Sequence, residues 1–545
     1  MLKIIFINTF LFVAIVANGQ NTFQKIYENS LGDAQCFGSF QTNDDGYIFT
    51  GVAQAPSYKI YMTKTDCEGN ILWSNSYNPS STVGNISHRV IETSDHGYLL
   101  AASIGQFGSY NIMVVKTNQA GATEWHKVIQ GSKDDMVNAV IETQDHHYVL
   151  AGYTASWGQE ANSPSGYRDV YVAKLDTGGN MIWAKTYGTD ETVDEAFDIG
   201  ESTNGGYAVT GRYIEQGTFF CMLLKTDTAG NMEYIRAYGD TNQHTVGYGI
   251  VALANGGFAI TGSTTLTKTS YQDYGDEFIF RINALGDTLW CHSYHGTNID
   301  GSETGSSIVD IQGQGFAIAV PTFSYPSTGF VPNKHVILRT DINGNMTMVR
   351  GYNTGSSHYN YLTKTGDLLG YIMSGFSNNY TTPFANNLLR MNNNFETGCN
   401  ETNLLSLTVQ ENPPVKIRIP PVVIASGNNV MNNTIQGLLP YSIQVLCENI
   451  IDSCTTAASI TQFIADENNW MQAFYNSEAQ QLIVNHSSAQ SNFSFNIIDM
   501  SGRNIESGVL QGNTINLPSN IHGIHIVQIY NKTDMHTFKI FLLNK

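Results

Sequence analysis

Charge is scarce in this sequence: Asp, Glu, Lys and Arg make up 13% of 545 residues, about half the roughly 25% of an average globular chain. Positive charge is scarcer still, with 27 Lys and Arg against 46 Asp and Glu and a formal net charge of −19. That field repels polyphosphate, and no basic cluster interrupts it, which argues against nucleic acid as a partner. Beyond residues 4–16 no apolar run approaches the ~18 residues of a membrane span, so none is predicted in the mature chain. There is no Cys-x-x-Cys, Gly-x-Ser-x-Gly, His-Glu-x-x-His or phosphate-binding Gly-rich loop, which lowers the expectation of an enzyme without removing it.

What is present begins with an address. Lys3, the apolar run Ile4–Val16 and the small-residue ending at Ala17-Asn-Gly19 read as a secretory signal peptide over residues 1–19, too short and wrongly flanked for an anchor. No cysteine follows the cleavage point, so the lipoprotein route is not indicated.

Aromatics are plentiful, 29 Tyr and 26 Phe, and they recur in a repeated pattern. A turn followed by an aromatic and alternating apolars occurs seven times, at Tyr47, Tyr98, Tyr148, Tyr207, Phe258, Phe316 and Tyr371. An apolar strand ending in a base also occurs seven times, at Lys64, Lys116, Lys174, Lys225, Arg281, Arg339 and Arg390. A third element, Gly-Asn-x-x-Trp-x-x-x-Tyr and its variants, follows in six repeats, while Phe23-Gln-Lys-Ile-Tyr27 carries its aromatic-x-x-x-Tyr form ahead of the first. Period-2 alternation and no 3.6-residue stripe predict four strands per unit of about 55 residues. The fold class expected is therefore all-β, a seven-bladed β-propeller over 20–399 whose last blade is completed by the N-terminal strand. Residues 400–451 read as a β-hairpin appendage, 452–468 as a linker, and 469–545 as a small β-sandwich.

Seven cysteines are an odd number, leaving at least one free thiol. Cys399 and Cys447 bracket a segment outside the repeats, and a disulfide there would stabilise by about 4 kcal/mol on loop entropy. Cys221 and Cys291 sit in strand patterns and read as buried apolar thiols.

Short Gly/Asn turns between the first and second strands, and between the third and fourth, belong to one face of the disc. The opposite face carries loops of variable length, the long ones spanning 154–168, 263–277, 322–335 and 376–386. Elaborated loops on a rigid scaffold are where binding residues usually sit. Trp157, Tyr167, Tyr271, Tyr274, Tyr325, Phe330 and Tyr380 lie there among Asn, Ser and Thr. Flat rings beside amides suit sugar faces or a protein epitope, and rings also pack long loops down. Carboxylates gather in the same region at Asp134, Asp135, Asp194, Glu195, Asp300 and Glu303; paired acids would serve glycan hydrolysis, or else solvate and cap the loops. The Asp-x-x-Gly-Asn turns at Asp66, Asp176, Asp227 and Asp341 suggest calcium but lack the distal Glu of a helix–loop–helix site, so plain hairpin turns are expected, with calcium the alternative and no other cofactor. His96, His146 and His147 occupy turns on the other face.

The tail carries a family resemblance. Ile497-Ile-Asp499-Met-Ser-Gly502-Arg503, then Ile515-Asn-Leu517, Gly523-Ile-His525-Ile and Phe538-Lys-Ile540 resemble the C-terminal sorting domain of type IX secretion substrates, with His525 in place of the usual Tyr. The resemblance implies type IX machinery as a partner, and export through the periplasm to the cell surface or medium. The expected role is then a secreted or surface protein whose long-loop face binds a glycan or protein; a glycan-active hydrolase or lyase, or a purely structural surface protein, are the alternatives.

Overall fold

A computed structural model describes residues 22–29, 34–54, 58–77, 84–158, 167–188, 192–265, 275–295, 304–322, 334–352, 357–366, 370–377, 385–398, 401–403, 408–411, 416–418, 423–425, 430–431, 437–438, 441–449, 471–476, 481–486, 494–499, 504–509, 514–516, 523–530 and 535–542. The expected signal peptide lies outside them. The chain divides into two units, Met1–Asp452 and Ser453–Lys545.

The first unit is a seven-bladed propeller. In blade 4, strand A is Glu195–Glu201, B Tyr207–Glu215, C Thr218–Thr226 and D Met232–Gly239, paired antiparallel in that order. The other blades repeat this order, with strand A at Ala34–Gln41, Ile86–Glu92, Asp135–Glu142, Thr245–Ala252, Ser307–Asp310 and Ser357–Lys364. Blade 7 takes its fourth strand from the N-terminus: Thr22–Asn29 pairs with Ala385–Asn392, Phe23 opposite Arg390 and Tyr27 opposite Asn386. The core lies between blades rather than within one. Phe23, Tyr27, Ile372 and Leu388 of blade 7 pack with Tyr47, Phe49 and Tyr61 of blade 1, just as Val172 and Tyr187 of blade 3 pack with Val209 and Phe220 of blade 4. The seam that closes the ring is therefore built like the others.

The Trp and Tyr of the third sequence element hold these seams. Trp183 lies against the next blade's C–D turn at Gly230, where φ is +73° and a Cβ would come within 2.9 Å of the indole. Glycine is required there by both the backbone and the ring. Tyr187 Oη donates to the carbonyl of Gly230 at 2.6 Å. The same clasp runs from Tyr77 to Gly121, Tyr238 to Gly286, Tyr294 to Gly344, Tyr352 to Phe395 and Tyr27 to Gly69. Blade 2 has Ile129 where the others have Tyr.

Residues 401–449 do not form the expected hairpin. Their strands pair with the blades instead of with one another. Glu401–Asn403 adds a fifth strand to blade 6, Thr408–Glu411 to blade 5, Lys416–Arg418 to blade 4, Val423–Ala425 to blade 3, Val430–Met431 to blade 2 and Gly437–Leu438 to blade 1. Tyr441–Asn449 then pairs with Thr22–Asn29, giving blade 7 its fifth strand. The segment is a belt that visits every blade once, in reverse order. The physical cause is edge exposure: each D strand presents unpaired N–H and C=O groups to any extended chain. Belt strands begin at 401, 408, 416, 423, 430 and 437, and seven or eight extended residues reach roughly 23–27 Å. In the sequence Pro413-Pro414 and Pro420-Pro421 fall between rungs, as expected of a residue with no N–H to give a ladder.

The second unit contains two antiparallel sheets. One holds Met471–Asn476, Gln481–His486 and Thr514–Asn516, the other Asn504–Val509, Ser494–Asp499, Gly523–Tyr530 and Met535–Leu542. Phe495, Ile497 and Ile515 are buried. Asp499 pairs with His525.

Candidate functional site

Strand A of successive blades lines the propeller axis, and in five of them one residue bulges out of the ladder, at Phe37, His88, Asn138, Phe197 and Tyr248. The position after the bulge is Gly38, Ala139 or Gly249 in three blades, but Arg89 in blade 2 and Asp198 in blade 4. The small residues leave room that the large ones fill. Arg89 Nη2 binds Asp198 Oδ1 at 3.0 Å, Nη1 donates to the Tyr361 hydroxyl of blade 7, and the guanidinium lies 4.1 Å from that ring's centroid. Asp198 Oδ2 accepts from Ile250 N of blade 5 at 3.0 Å. Blades 2, 4 and 7 do not adjoin, so this cluster spans the axis.

The short-turn face is held by the repeated bases. Lys64 Nζ reaches Asp44 at 2.9 Å and Thr65 O at 2.7 Å, and Lys174 Nζ reaches Asp145 at 2.6 Å. Successive turns are linked sideways: Asn43 N donates to Glu92 at 2.7 Å, Ser94 N to Glu142 at 2.7 Å and Gln144 N to Glu201 at 3.0 Å. Burial pushes the Glu92 carboxyl up to about 7, against the Asn43 N–H, which favours its charged form. His96 and His146 sit at positive φ, +63° and +60°, where blade 4 has Gly205; His147 Nδ1 is 3.1 Å from Asp145.

In each Asp-x-x-Gly-Asn turn the aspartate is spent on its own hairpin. Asp341 Oδ1 accepts from Asn345 N and Oδ2 from the Asn345 amide, both at 2.8 Å, and Asp66, Asp176 and Asp227 repeat the pattern. Their carboxylates are pointed at N–H donors, an arrangement that favours the turn over a cation. Among the described residues no group of three or more His, Cys, Asp or Glu is placed to hold a metal ion.

On the long-loop face the four described acids are loop fasteners. Asp134 accepts from Tyr110 N at 2.9 Å, and Asp135 accepts from the Thr154 and Ser156 hydroxyls. Burial pushes Asp135 up to about 6, although those hydroxyls pull it down. Glu195 is buried between Arg168 Nε and Arg212 Nη2, each at 2.6 Å, while Asp194 accepts from Ile214 N at 3.3 Å. The geometry brings Glu195 to two guanidinium groups rather than to a second acid. Asp300 and Glu303 lie outside the described residues.

Trp157, read from the sequence as a ring for a ligand or for loop packing, lies tilted against Tyr171 with centroids 5.5 Å apart and packs against a blade core. Tyr167 is half-buried. Tyr271, Tyr274, Tyr325, Phe330 and Tyr380 lie outside the described residues. A ring that sequence reasoning missed is the exposed one: Phe107 in the B–C loop of blade 2 is 89% accessible, between Gly105 at φ +133° and Gly108 at φ +91°. Its signal was the pair of flanking glycines. The loops differ as predicted, from a two-residue hairpin at Gln216-Gly217 in blade 4 to residues 155–168 in blade 3.

Cys36, Cys221 and Cys291 are free and buried. Burial pushes the thiols of Cys36 and Cys221 up to about 12. Cys67 is disulfide-bonded. Cys399 and the side chain of Cys447 lie outside the described residues, so the expected Cys399–Cys447 pair is not placed.

The fold defines a seven-bladed propeller with a chain-encoded belt. No known protein family and no curated protein matches the chain. Similar solved structures include a protein of unknown function from Dyadobacter fermentans, 10% identical over 68% of this chain and 98% of its own, TM-score 0.38. Sqt1 of Chaetomium thermophilum is 12% identical over 67% of this chain and 97% of its own, TM-score 0.34. PorZ, a surface component of the type IX secretion system of Porphyromonas gingivalis, is 9% identical over 95% of this chain and all of its own, TM-score 0.23. No helix among the described residues is long and apolar enough to cross a membrane.

Proposed function

We propose that the protein is exported by type IX secretion and binds a glycan or a protein partner on the long-loop face of its propeller. The observation that carries the binding reading is the asymmetry of the disc. Turns on one face are uniform and locked by buried bases, while loops on the other vary widely and present Phe107 to solvent. A rigid ring with one elaborated face suits recognition better than chemistry, because the described acids there are committed to backbone, hydroxyl and guanidinium partners. The export reading is supported by the N-terminal address and by the tail motifs at 497–503, 515–517, 523–526 and 538–540.

Glycan-array and surface-protein capture with the mature chain tests the binding half. Retention that falls at least tenfold for Phe107→Ser combined with Tyr325→Ala, at unchanged melting temperature, is expected; retention indifferent to both overturns it. For export, removing residues 469–545 in a bacterium with type IX machinery should leave the chain inside the outer membrane. Undiminished release would overturn that half alone.

A further inference from the structure

We propose that the Cys67 disulfide is a latch that ties the belt to blade 1 and is made by oxidation outside the cytoplasm. Three of the seven cysteines, Cys36, Cys221 and Cys291, are free and buried inside the blades. Cys67 is bonded, so its partner is Cys399, Cys447 or Cys454. In the sequence Cys399 stands two residues before the first belt strand and Cys447 lies in the last one, whereas Cys454 belongs to the second unit.

The described residues also bring the two ends of the belt to one place. Gln24 pairs with Cys447 in the last belt strand, and its side-chain amide donates to Thr397 Oγ1 at 2.7 Å, two residues before Cys399. Thr22 Oγ1 donates to Thr397 O at 2.9 Å. From the same N-terminal strand, Tyr27 Oη donates to Gly69 O at 2.7 Å, in the turn that contains Cys67. The start of the belt, its end, the N-terminal strand and the Cys67 turn thus converge at the ring-closing seam.

The belt needs such a latch because its first six rungs are two to four residues long, too short to hold an edge independently. In forming it, the Cys67 and partner thiols lose two protons and two electrons to an oxidised dithiol carrier, which leaves as the dithiol, through a mixed disulfide. Oxidising compartments supply that carrier and the cytoplasm does not. This inference does not depend on what the propeller binds.

Non-reducing peptide mapping of the alkylated full-length protein, paired with hydrogen exchange before and after mild reduction, tests it. The Cys67 peptide should be joined to one containing residue 399 or 447, and belt peptides within 401–449 should exchange at least tenfold faster after reduction while blade strands B and C stay protected. Cys67→Ser should reproduce the reduced pattern; should that variant fail to fold, the reduced natural chain carries the test. Cys67 found alkylated, Cys67 joined to Cys36, Cys221, Cys291 or Cys454, belt exchange unmoved by reduction, or exchange rising equally in blades and belt would each overturn the latch.

Discussion

The hydroxyl of Tyr27 donates to the carbonyl of Gly69 at 2.7 Å, so the first described strand of the chain is clasped to the first complete blade by the bond that joins most other blades. Residues 22–29 are at once the fourth strand of blade 7, the partner of the last belt strand and one wall of the closing seam.

Tyr27→Phe should cost about 1 kcal/mol, because the Gly69 carbonyl loses a buried donor. Deleting residues 22–29 should cost far more, since it removes two ladders and a core wall together. Calorimetry of both variants checks the ranking. A melting temperature unmoved by the deletion would refute N-terminal closure.

Arg89→Met should destabilise the ring by about 3–5 kcal/mol, the usual cost of leaving a buried charge without its partner, here Asp198. The double variant Arg89→Met with Asp198→Leu should recover part of the loss. Denaturant midpoints decide it. A loss under about 1 kcal/mol for the single change would show that water solvates the axis.

Glu92 and Asp135 set a pH dependence. Their folded pKa values, about 7 and about 6, are raised above the ordinary 4.5 and 3.8. A raised carboxyl contributes most when protonated, so this stability is full below the ordinary value and lost as pH rises through the folded one. Asp44, Asp176, Asp227 and Asp341 are lowered, so their contribution is present above pH 3.8 and lost in acid. Stability should peak near pH 4 and decline between about pH 4 and 7, with Glu92→Gln flattening the decline between 4.5 and 7. Identical slopes for the natural chain and Glu92→Gln across that window would count against the assignment.

Shortening the belt by ending the chain after Gly398 should leave seven D strands with open edges. Such edges pair between molecules, so the truncated protein should elute as a mixture of oligomers in size-exclusion chromatography. A clean monomer of natural stability would show that the belt contributes nothing to the ring.

The ring and its N-terminal closure were legible because both are repeated: seven aromatics and seven bases stand at matching positions, and Phe23-x-x-x-Tyr27 is the element missing from the last repeat. The belt was not legible, since rungs such as Val430–Met431 carry no periodicity and take their partners from strands hundreds of residues away. Arg89 and Asp198 were invisible for a related reason. Each is an exception at a position where other blades have glycine or alanine, and their meeting depends on the closed ring. For Trp157 the sequence left ligand binding and loop packing both open, because exposure is a property of what lies beneath a loop, and Tyr171 lies beneath this one.

The belt also counts. Its steps of seven or eight residues match one blade each, and its last strand must arrive at Thr22–Asn29. Repeat proteins ordinarily gain and lose units by duplication and deletion, yet here an added blade would leave one edge bare and a lost blade would leave slack chain. Blade number and belt length can change only together, which makes the segment after the last repeat a ruler that holds this ring at seven.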